Sequence, residues 1–216
     1  MQRKQFLQWA GLALGAAAVG AGLIGCGGGD SGDASIPAAS GGELSAEEIA
    51  GLFFMREEEK LAYDVYVALH ARWGAQVFNN IAQSEVQHTE AVRQRILDHG
   101  LVDPAANSPA GVFVNAELQA LYDTLVARGQ GSLTAALKVG CLIEETDIRD
   151  LLERRAQVDN EPDIVAVYDN LLCGSRNHLR AFNQQLLAQG GSYTPQVISQ
   201  AEWNAIANSA QERCGG

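Results

Sequence analysis

The sequence of 216 residues is poor in basic side chains, with 15 Lys and Arg against 26 Asp and Glu and a formal charge of −11. An acidic chain without a basic stripe is a poor candidate for binding nucleic acid or anionic lipid headgroups. Its four cysteines are too few to build a disulfide scaffold. No run of residues shows the alternation of a β-strand, and no repeat of fixed period occurs. We therefore expect a helical protein without a nucleic-acid partner.

The amino terminus predicts export. Arg3 and Lys4 precede an apolar stretch at residues 12–24 that is thin for crossing the ~30 Å hydrocarbon layer of a bilayer. This pattern indicates a secretory signal over residues 1–25. The letters LIGC, ending at Cys26, resemble the lipobox of bacterial lipoproteins, which implies lipidation of Cys26 and a membrane anchor facing the periplasm or the cell exterior. The alternative is an ordinary thiol at Cys26.

The export route and the start of the folded domain follow from the next two features. The letters RKQFL at residues 3–7 resemble a twin-arginine signal with one Lys replacement, so twin-arginine and general secretory export both stay open. Residues 26–42 are mostly Gly, Ser, Ala and Asp, which predicts a flexible tether. The folded domain is therefore expected at residues 43–216. Removing residues 1–25 removes two basic residues and no acid, which changes the charge from −11 to −13.

Helical signals dominate this domain. Capping boxes begin at Ser45 and at Ser199, and Gly74, Gly100 and the Gly pair at 190–191 mark helix ends. The predicted helices are 46–73, 77–99, 116–127, 132–156, 162–189 and a short terminal helix from 199 to about 213. Two of the links between long helices are short, and the link between the second and third spans about thirty residues. This pattern predicts an all-α, up-down-down-up four-helix bundle with a long crossover, the wiring of ferritin-like folds.

Each long helix carries an inner stripe that is apolar at both ends and polar in the middle. The polar positions on these stripes are Glu59, Glu85, His88, Glu144, Asp147, Ser175 and His178. Burying one unpaired carboxylate costs several kcal/mol, so four in one core would unfold a domain that is stable by about 5–15 kcal/mol. Two divalent cations would balance the four acids, and the two histidines would complete the ligands. Mixed carboxylate and imidazole ligation suits iron, with manganese as the alternative.

Several of these positions have alternatives. Glu57, Glu58 and Glu59 form a charge run, which is usually solvent-exposed, and periodicity does not separate Glu58 from Glu59. Glu144 and Glu145 are equally open. Asp147 is either a ligand or an exposed acid near a basic residue.

Four motifs resemble a bacterial and archaeal ferritin-like domain of unknown function. They lie at residues 58–66 (EEKLAYDVY), 84–88 (SEVQH), 143–148 (IEETDI) and 174–182 (GSRNHLRAF), and the resemblance covers residues 43–206. It implies a fold related to ferritins and rubrerythrins, in which the first-helix ligand is followed by Ala three and Tyr seven residues later. Glu59, Ala62 and Tyr66 fit that spacing.

The fourth helix departs from the ferritin-like pattern. That pattern has Glu three residues before His178, where this chain has Ser175. We infer that Asp147, one turn after Glu144, replaces the missing acid, as rubrerythrins similarly carry two acids on their third helix. The predicted metal ligands are therefore Glu59, Glu85, His88, Glu144, Asp147 and His178, with Glu85 or Glu144 bridging the two ions.

These observations lead to a hypothesis of a di-iron protein of the cell envelope that acts on O2 or peroxide, with ferroxidase or peroxidase-like chemistry. Tyr66 and Tyr168 lie on the inner stripes and either contact a ligand or only pack in the core. A metal-binding or storage module without turnover is the second hypothesis, and a metal-free helical interaction module is the third. A homodimer is compatible with the fold.

The remaining cysteines allow one structural prediction. Glu144 and His178 are expected in one layer of antiparallel helices, which places Cys141 and Cys173 about eight residues, or ~12 Å, apart. A disulfide needs Cα atoms within ~7 Å. Cys141 and Cys173 should therefore not be bonded to each other.

Overall fold

The computed structural model describes residues 43–214, and this part of the chain contains six helices and no strand. The helices are α1 (Ala46–Trp73), α2 (Gln76–Asp98), α3 (Ala116–Gly129), α4 (Leu133–Arg155), α5 (Pro162–Ala188) and α6 (Gln200–Ala207). The predicted signal at 1–25, the lipidation of Cys26 and the tether at 26–42 lie outside the described residues. No helix within residues 43–214 combines the length and apolar character needed to span a membrane.

Local chemistry explains where α1 begins and ends. The Ser45 side chain accepts a hydrogen bond from the Glu48 amide, and the Glu48 carboxylate accepts one from the Ser45 amide, which completes a capping box. Gly74 ends the helix with φ of 65°, a left-handed conformation that glycine adopts without strain. Only two residues then separate α1 from α2, so the chain turns sharply there.

The four long helices pack around one core. α1 packs along α2 and α4 packs along α5, while α2 also contacts α5 and α1 also contacts α4. Tyr66, Phe78 and Phe182 form an aromatic group inside, with ring centroids 5.1–6.3 Å apart. Gly140 gives Phe182 its space, since an ideal Cβ at residue 140 would lie 2.5 Å from the phenyl ring.

The long connection between α2 and α3 is held by polar side chains of α1. Arg56 donates hydrogen bonds to Asp103 at 3.0 and 3.2 Å. The Lys60 ammonium donates to the Pro109 carbonyl at 2.8 Å and contacts Asp64 at 2.6 Å. Arg56, Lys60 and Asp64 are thus buried between α1 and the connection, which they hold in place.

The carboxyl terminus differs from the prediction. Helix α6 ends at Ala207, earlier than the expected position near 213. Residues 208–214 instead return to α5, where Cys214 forms a disulfide with Cys173. Cys141 is free and buried, which confirms that Cys141 and Cys173 are not bonded to each other.

Candidate metal centre

The six predicted ligands come from all four long helices and lie together in the core. Helix α1 supplies one, α2 and α4 two each, and α5 one: Glu59, Glu85, His88, Glu144, Asp147 and His178. The four acids are each 2–5% exposed, and His178 is 8% exposed. Residues that are among the most polar in the chain therefore occupy its interior.

His88 faces one acid of its own helix, Glu85, and one of α1, Glu59. Its Nδ1 atom lies 2.8 Å from Oε2 of Glu85 and 3.3 Å from Oε2 of Glu59. The spacing of three residues between Glu85 and His88 places both on one face of α2.

His178 occupies the matching position on α5. Its Nδ1 atom lies 2.9 Å from Oε1 of Glu85 and 3.5 Å from Oε2 of Glu144. The imidazoles of His88 and His178 stack with centroids 5.3 Å apart. Glu85 thus lies between the two histidines, with one oxygen toward each.

The ligand-type atoms are close together but lack hydrogen-bond geometry. Five of them are buried without a hydrogen-bond partner: Glu59 Oε1, Glu85 Oε2, His88 Nδ1, Asp147 Oδ1 and His178 Nδ1. Donor atoms of Glu85, His88 and His178 all lie within 4.8 Å of one another. Native interiors rarely leave so many polar atoms without a hydrogen-bond partner.

Burial and the neighbouring charges shift the pKa values of the clustered acids. Burial raises the pKa of Glu59 to about 7 despite the opposing effect of His88. Burial and the carboxylates of Glu59, Glu144 and Glu85 hold the pKa of Asp147 well above its ordinary value. Burial would also raise the pKa of Glu85, but the two histidines outweigh it and lower that pKa. Glu59 and Asp147 therefore resist ionisation when no cation is bound beside them.

Neighbouring residues orient several of these side chains. The Tyr66 hydroxyl donates a hydrogen bond to Oε1 of Glu144 at 2.5 Å. Nε2 of His178 lies 3.0 Å from the Ser84 hydroxyl, which leaves its Nδ1 for the acids. The hydroxyl of Ser175 contacts Asp147 and also lies 2.8 Å from the Leu171 carbonyl. Such outer partners fix the direction of metal-ligating groups.

Tyr168, which was predicted with Tyr66 either to contact a ligand or to pack in the core, does not contact the predicted ligands through its hydroxyl. Its hydroxyl has no hydrogen-bond partner and lies near residue 51, where an ideal Cβ would be 3.3 Å away. Burial raises the pKa of Tyr168, with smaller effects from Arg154 and Glu48 and none from the six acids and histidines of the cluster. The structure therefore favours core packing for Tyr168.

The three consecutive glutamates of α1 are all buried, each in a different setting. Glu57 accepts hydrogen bonds from the amides of Val114 and Asn115, so it anchors the long connection. Glu59 faces His88, as described above. Glu58 points toward α4, where burial and the carboxylates of Asp150, Asp147 and Glu59 raise its pKa well above the ordinary value.

Glu58 and Asp150 extend the acidic cluster beyond the predicted ligands. Oε2 of Glu58 is buried and has no hydrogen-bond partner. Sequence periodicity left Glu58 open as an alternative to Glu59, and it did not identify Asp150. The signal that could have found Asp150 is its spacing of three residues after Asp147, which places both on one face of α4.

Glu145 has a structural role. Its carboxylate accepts hydrogen bonds from the Tyr193 hydroxyl and from the amides of Gln196, Val197 and Ile198. All of these donors belong to the segment between α5 and α6. Of the two neighbouring glutamates on α4, Glu144 therefore faces the histidines and Glu145 anchors this segment.

Gly174 provides the space that His88 occupies. An ideal Cβ at residue 174 would lie 2.5 Å from Nε2 of His88, closer than real Cβ contacts allow. The GS pair at 174–175 therefore presents α5 to the cluster with two small residues, one beside each partner helix.

Comparison with known proteins shows the family to which this chain belongs. Residues 48–210 match the model of an uncharacterized protein domain, DUF2202, so the chain belongs to that family. The uncharacterized protein MJ0754 of Methanocaldococcus jannaschii is 48% identical over 170 residues, covering 79% of this chain and 91% of that protein. The crystal structure of hypothetical protein MJ0754 superimposes with a TM-score of 0.77 at 46% identity, covering 83% of this chain and all of the other.

Proposed function

We propose that this protein is a ferritin-like di-metal carboxylate protein, with two iron ions as the expected cofactor and manganese as the alternative. The long helices would follow the up-down-down-up arrangement, with residues 99–132 as the crossover. The ligands would be Glu59, Glu85, His88, Glu144, Asp147 and His178.

The observation that carries the proposal is the set of five buried, unpartnered donor atoms on four helices. A core stabilised by hydrogen bonds alone would pair these atoms with each other or with the backbone. Here the lone pairs of carboxylate oxygens and imidazole nitrogens lie close together without hydrogen bonds between them. Such an arrangement would suit a bound cation. The donors are carboxylate oxygens and imidazole nitrogens, the set that suits iron and manganese.

The position of Glu85 supports a bridging role. Its two oxygens lie at 2.8 and 2.9 Å from the two histidines, one on each side. Glu144 has one oxygen engaged by Tyr66, which makes it the less symmetric of the two candidates. We therefore assign the bridge to Glu85.

When bound, two iron ions would supply two electrons for the reduction of O2 or peroxide. The chain's own residues would do the rest. The Tyr66 hydroxyl donates a hydrogen bond to Oε1 of Glu144 and holds that carboxylate in place. Ser84 fixes the ring of His178. The buried rings of Tyr66, Phe78 and Phe182 exclude water from one end of the site.

Export and lipid anchoring belong to the same proposal. The signal at 1–25 and Cys26 would place the domain outside the cytoplasmic membrane, on a tether of residues 26–42. The disulfide between Cys173 and Cys214 supports this location, because disulfides persist in oxidising compartments.

Metal analysis tests the site directly. Protein purified without chelators should carry close to two metal ions per chain. Glu85→Ala and His88→Ala should each remove most of this metal, because each deletes donor atoms at the centre of the cluster. Glu90→Ala is the matched control, since Glu90 lies on the same helix, is exposed and pairs with Arg93 instead of the cluster. Full occupancy in both ligand variants would contradict the proposal.

Turnover separates the enzyme from a storage module. The loaded protein should consume peroxide or O2 steadily when a reductant is supplied, and Glu85→Ala should abolish this consumption. If the protein binds metal but does not consume peroxide or O2, the proposed metal site stands and the oxidoreductase function is rejected.

A further inference from the structure

A second group of ligand-type side chains lies where α2 ends and α5 begins. His99 caps the carboxyl end of α2, Glu161 precedes α5, and Asp163 is in the first turn of α5. Donor atoms of these three residues all lie within 4.8 Å of one another, and Nε2 of His99 is 3.1 Å from Oδ2 of Asp163. His99 follows His88 by eleven residues, or about 16 Å along the helix, so the group is separate from the candidate metal centre.

Glu161 is the residue that makes this group unusual. It is 6% exposed, yet its side chain makes no capping hydrogen bond with α5. Among residues 43–214, no Lys or Arg forms an ion pair with its carboxylate. Glu161 therefore offers a carboxylate that no basic side chain engages, close to the imidazole of His99 and the carboxylate of Asp163.

Arg95 is the basic residue that borders the group. Its guanidinium lies 3.5 Å from Oδ2 of Asp163 and 2.6 Å from Asp98. Arg95 therefore forms ion pairs with Asp98 and with Asp163, and Asp163 is the one member of the group that it contacts. Arg95 makes no ion pair with Glu161.

We propose that His99, Glu161 and Asp163 bind one divalent cation of the borderline class, for which Zn²⁺ is the probe. One imidazole and two carboxylates are ligands that Zn²⁺ accepts at about 2.0–2.2 Å, and donors up to 4.8 Å apart need only a small closure to reach one ion. Three protein ligands leave a coordination position for water. The ion would join the end of α2 to the start of α5 and is independent of the proposed di-metal function.

The test is a Zn²⁺ titration of the full chain carrying Glu85→Ala and His88→Ala, which disable the central site. One Zn²⁺ per chain should still bind, and this ion should be lost when His99→Ala or Glu161→Gln is added. Asp98→Asn is the control, because Asp98 lies beside His99 and contacts Arg95 without joining the group. Absence of residual Zn²⁺, or equal binding after His99→Ala and Glu161→Gln, would overturn the proposal.

A second measurement on the unmodified chain makes the result independent of how the variants fold. Crystals soaked in Zn²⁺ should give an anomalous peak between His99, Glu161 and Asp163. A peak there with an empty central cluster would support this site and reject the di-metal proposal, whereas peaks confined to the centre would do the opposite.

Discussion

At the scale of single residues, the core of this protein is organised by what each acid contacts. Glu57 and Glu145 are saturated by backbone amides of two connecting segments, and they are structural. Glu59 and Glu85 face histidines without hydrogen-bond geometry, and Asp147 has one oxygen unpartnered. Burial therefore does not separate structural from ligand acids here, but hydrogen-bond satisfaction does.

Asp147 provides the sharpest residue-scale prediction. If it replaces the glutamate that ferritin-like proteins carry at the position of Ser175, Asp147→Asn should weaken one metal position by about tenfold or more. The other position should remain, held mainly by Glu59, Glu85 and His88. Metal titration followed by mass spectrometry measures both stoichiometry and affinity.

The reciprocal substitution completes this test. Ser175 contacts Asp147 directly, so a carboxylate introduced there would occupy the same corner of the site. Ser175→Glu should be tolerated when metal is bound, and adding it to Asp147→Asn should restore at least part of the lost binding. Two metals bound to Asp147→Asn with parental affinity would show that Asp147 is no ligand.

Gly174 should be as sensitive as a ligand. Gly174→Ala places a Cβ where Nε2 of His88 lies, so the ring must move. We expect a loss of about 1–3 kcal/mol in the free energy of unfolding, the usual cost of overpacking, together with weaker metal binding. Gly131→Ala is the control, because a Cβ there meets only a backbone oxygen 3.9 Å away. Denaturant unfolding and metal titration of both variants would decide, and parental behaviour of Gly174→Ala would contradict the packing described for His88.

At the scale of elements, sequence signals predicted the helices well where the determinants are local. Both capping boxes, at Ser45 and Ser199, are present with both of their hydrogen bonds. The predicted end of α6 near residue 213 was wrong, because the contacts that end the helix come from residues distant in sequence. Glu212 binds Arg176 and Arg180 of α5, which draws residues 208–214 away from a helical path.

The candidate site shows the same division. Stripes of period 3.5 identified six residues that the structure brings together, because that spacing follows directly from helix geometry. They did not resolve Glu58 from Glu59 or Glu144 from Glu145, since adjacent residues differ by only 100° around a helix. The partners that separate them, such as Tyr193 for Glu145, come from other elements.

Glu145 allows an element-scale prediction. Glu145→Ala removes the acceptor of several partly buried hydrogen bonds, so the segment at 193–198 should detach from α4 and the free energy of unfolding should fall by about 1.5–3 kcal/mol. Metal content should stay at the parental value. Hydrogen exchange at residues 196–198 together with metal analysis is the measurement; loss of metal without loss of protection would make Glu145 a ligand after all.

At the scale of the whole molecule, metal and stability should be linked through pH. In the metal-free protein the pKa of Glu59 is raised to about 7, so its contribution to stability is lost as pH rises above the ordinary range near 4.5. The pKa of His178 is raised to about 10 by Glu85 and Glu144 against the effect of burial, so its contribution is lost as pH rises from 6.5 to about 10. Both shifts act in the same direction.

We therefore expect the metal-free protein to lose stability steadily between pH 5 and pH 10. The Mn²⁺-loaded protein should lack most of this decline above neutrality, because the ions stabilise the ionised acids and the neutral imidazoles. Thermal unfolding across this range, with and without a chelator, is the measurement. Parallel pH profiles for the two forms would argue against a cation in the core.

The bond between Cys173 and Cys214 closes residues 173–214 into a covalent ring that contains His178, α6 and the exposed turn at 189–190. A protease that cuts this turn opens the ring without releasing a fragment, and both pieces stay attached at the residue next to Gly174. Without the bond such a cut would release α6 and the segment that follows it, whereas α5 and His178 lie on the amino-terminal side of the cut. For a protein exported as proposed above, such a closure would keep α6 attached to the domain after a peptidase cut.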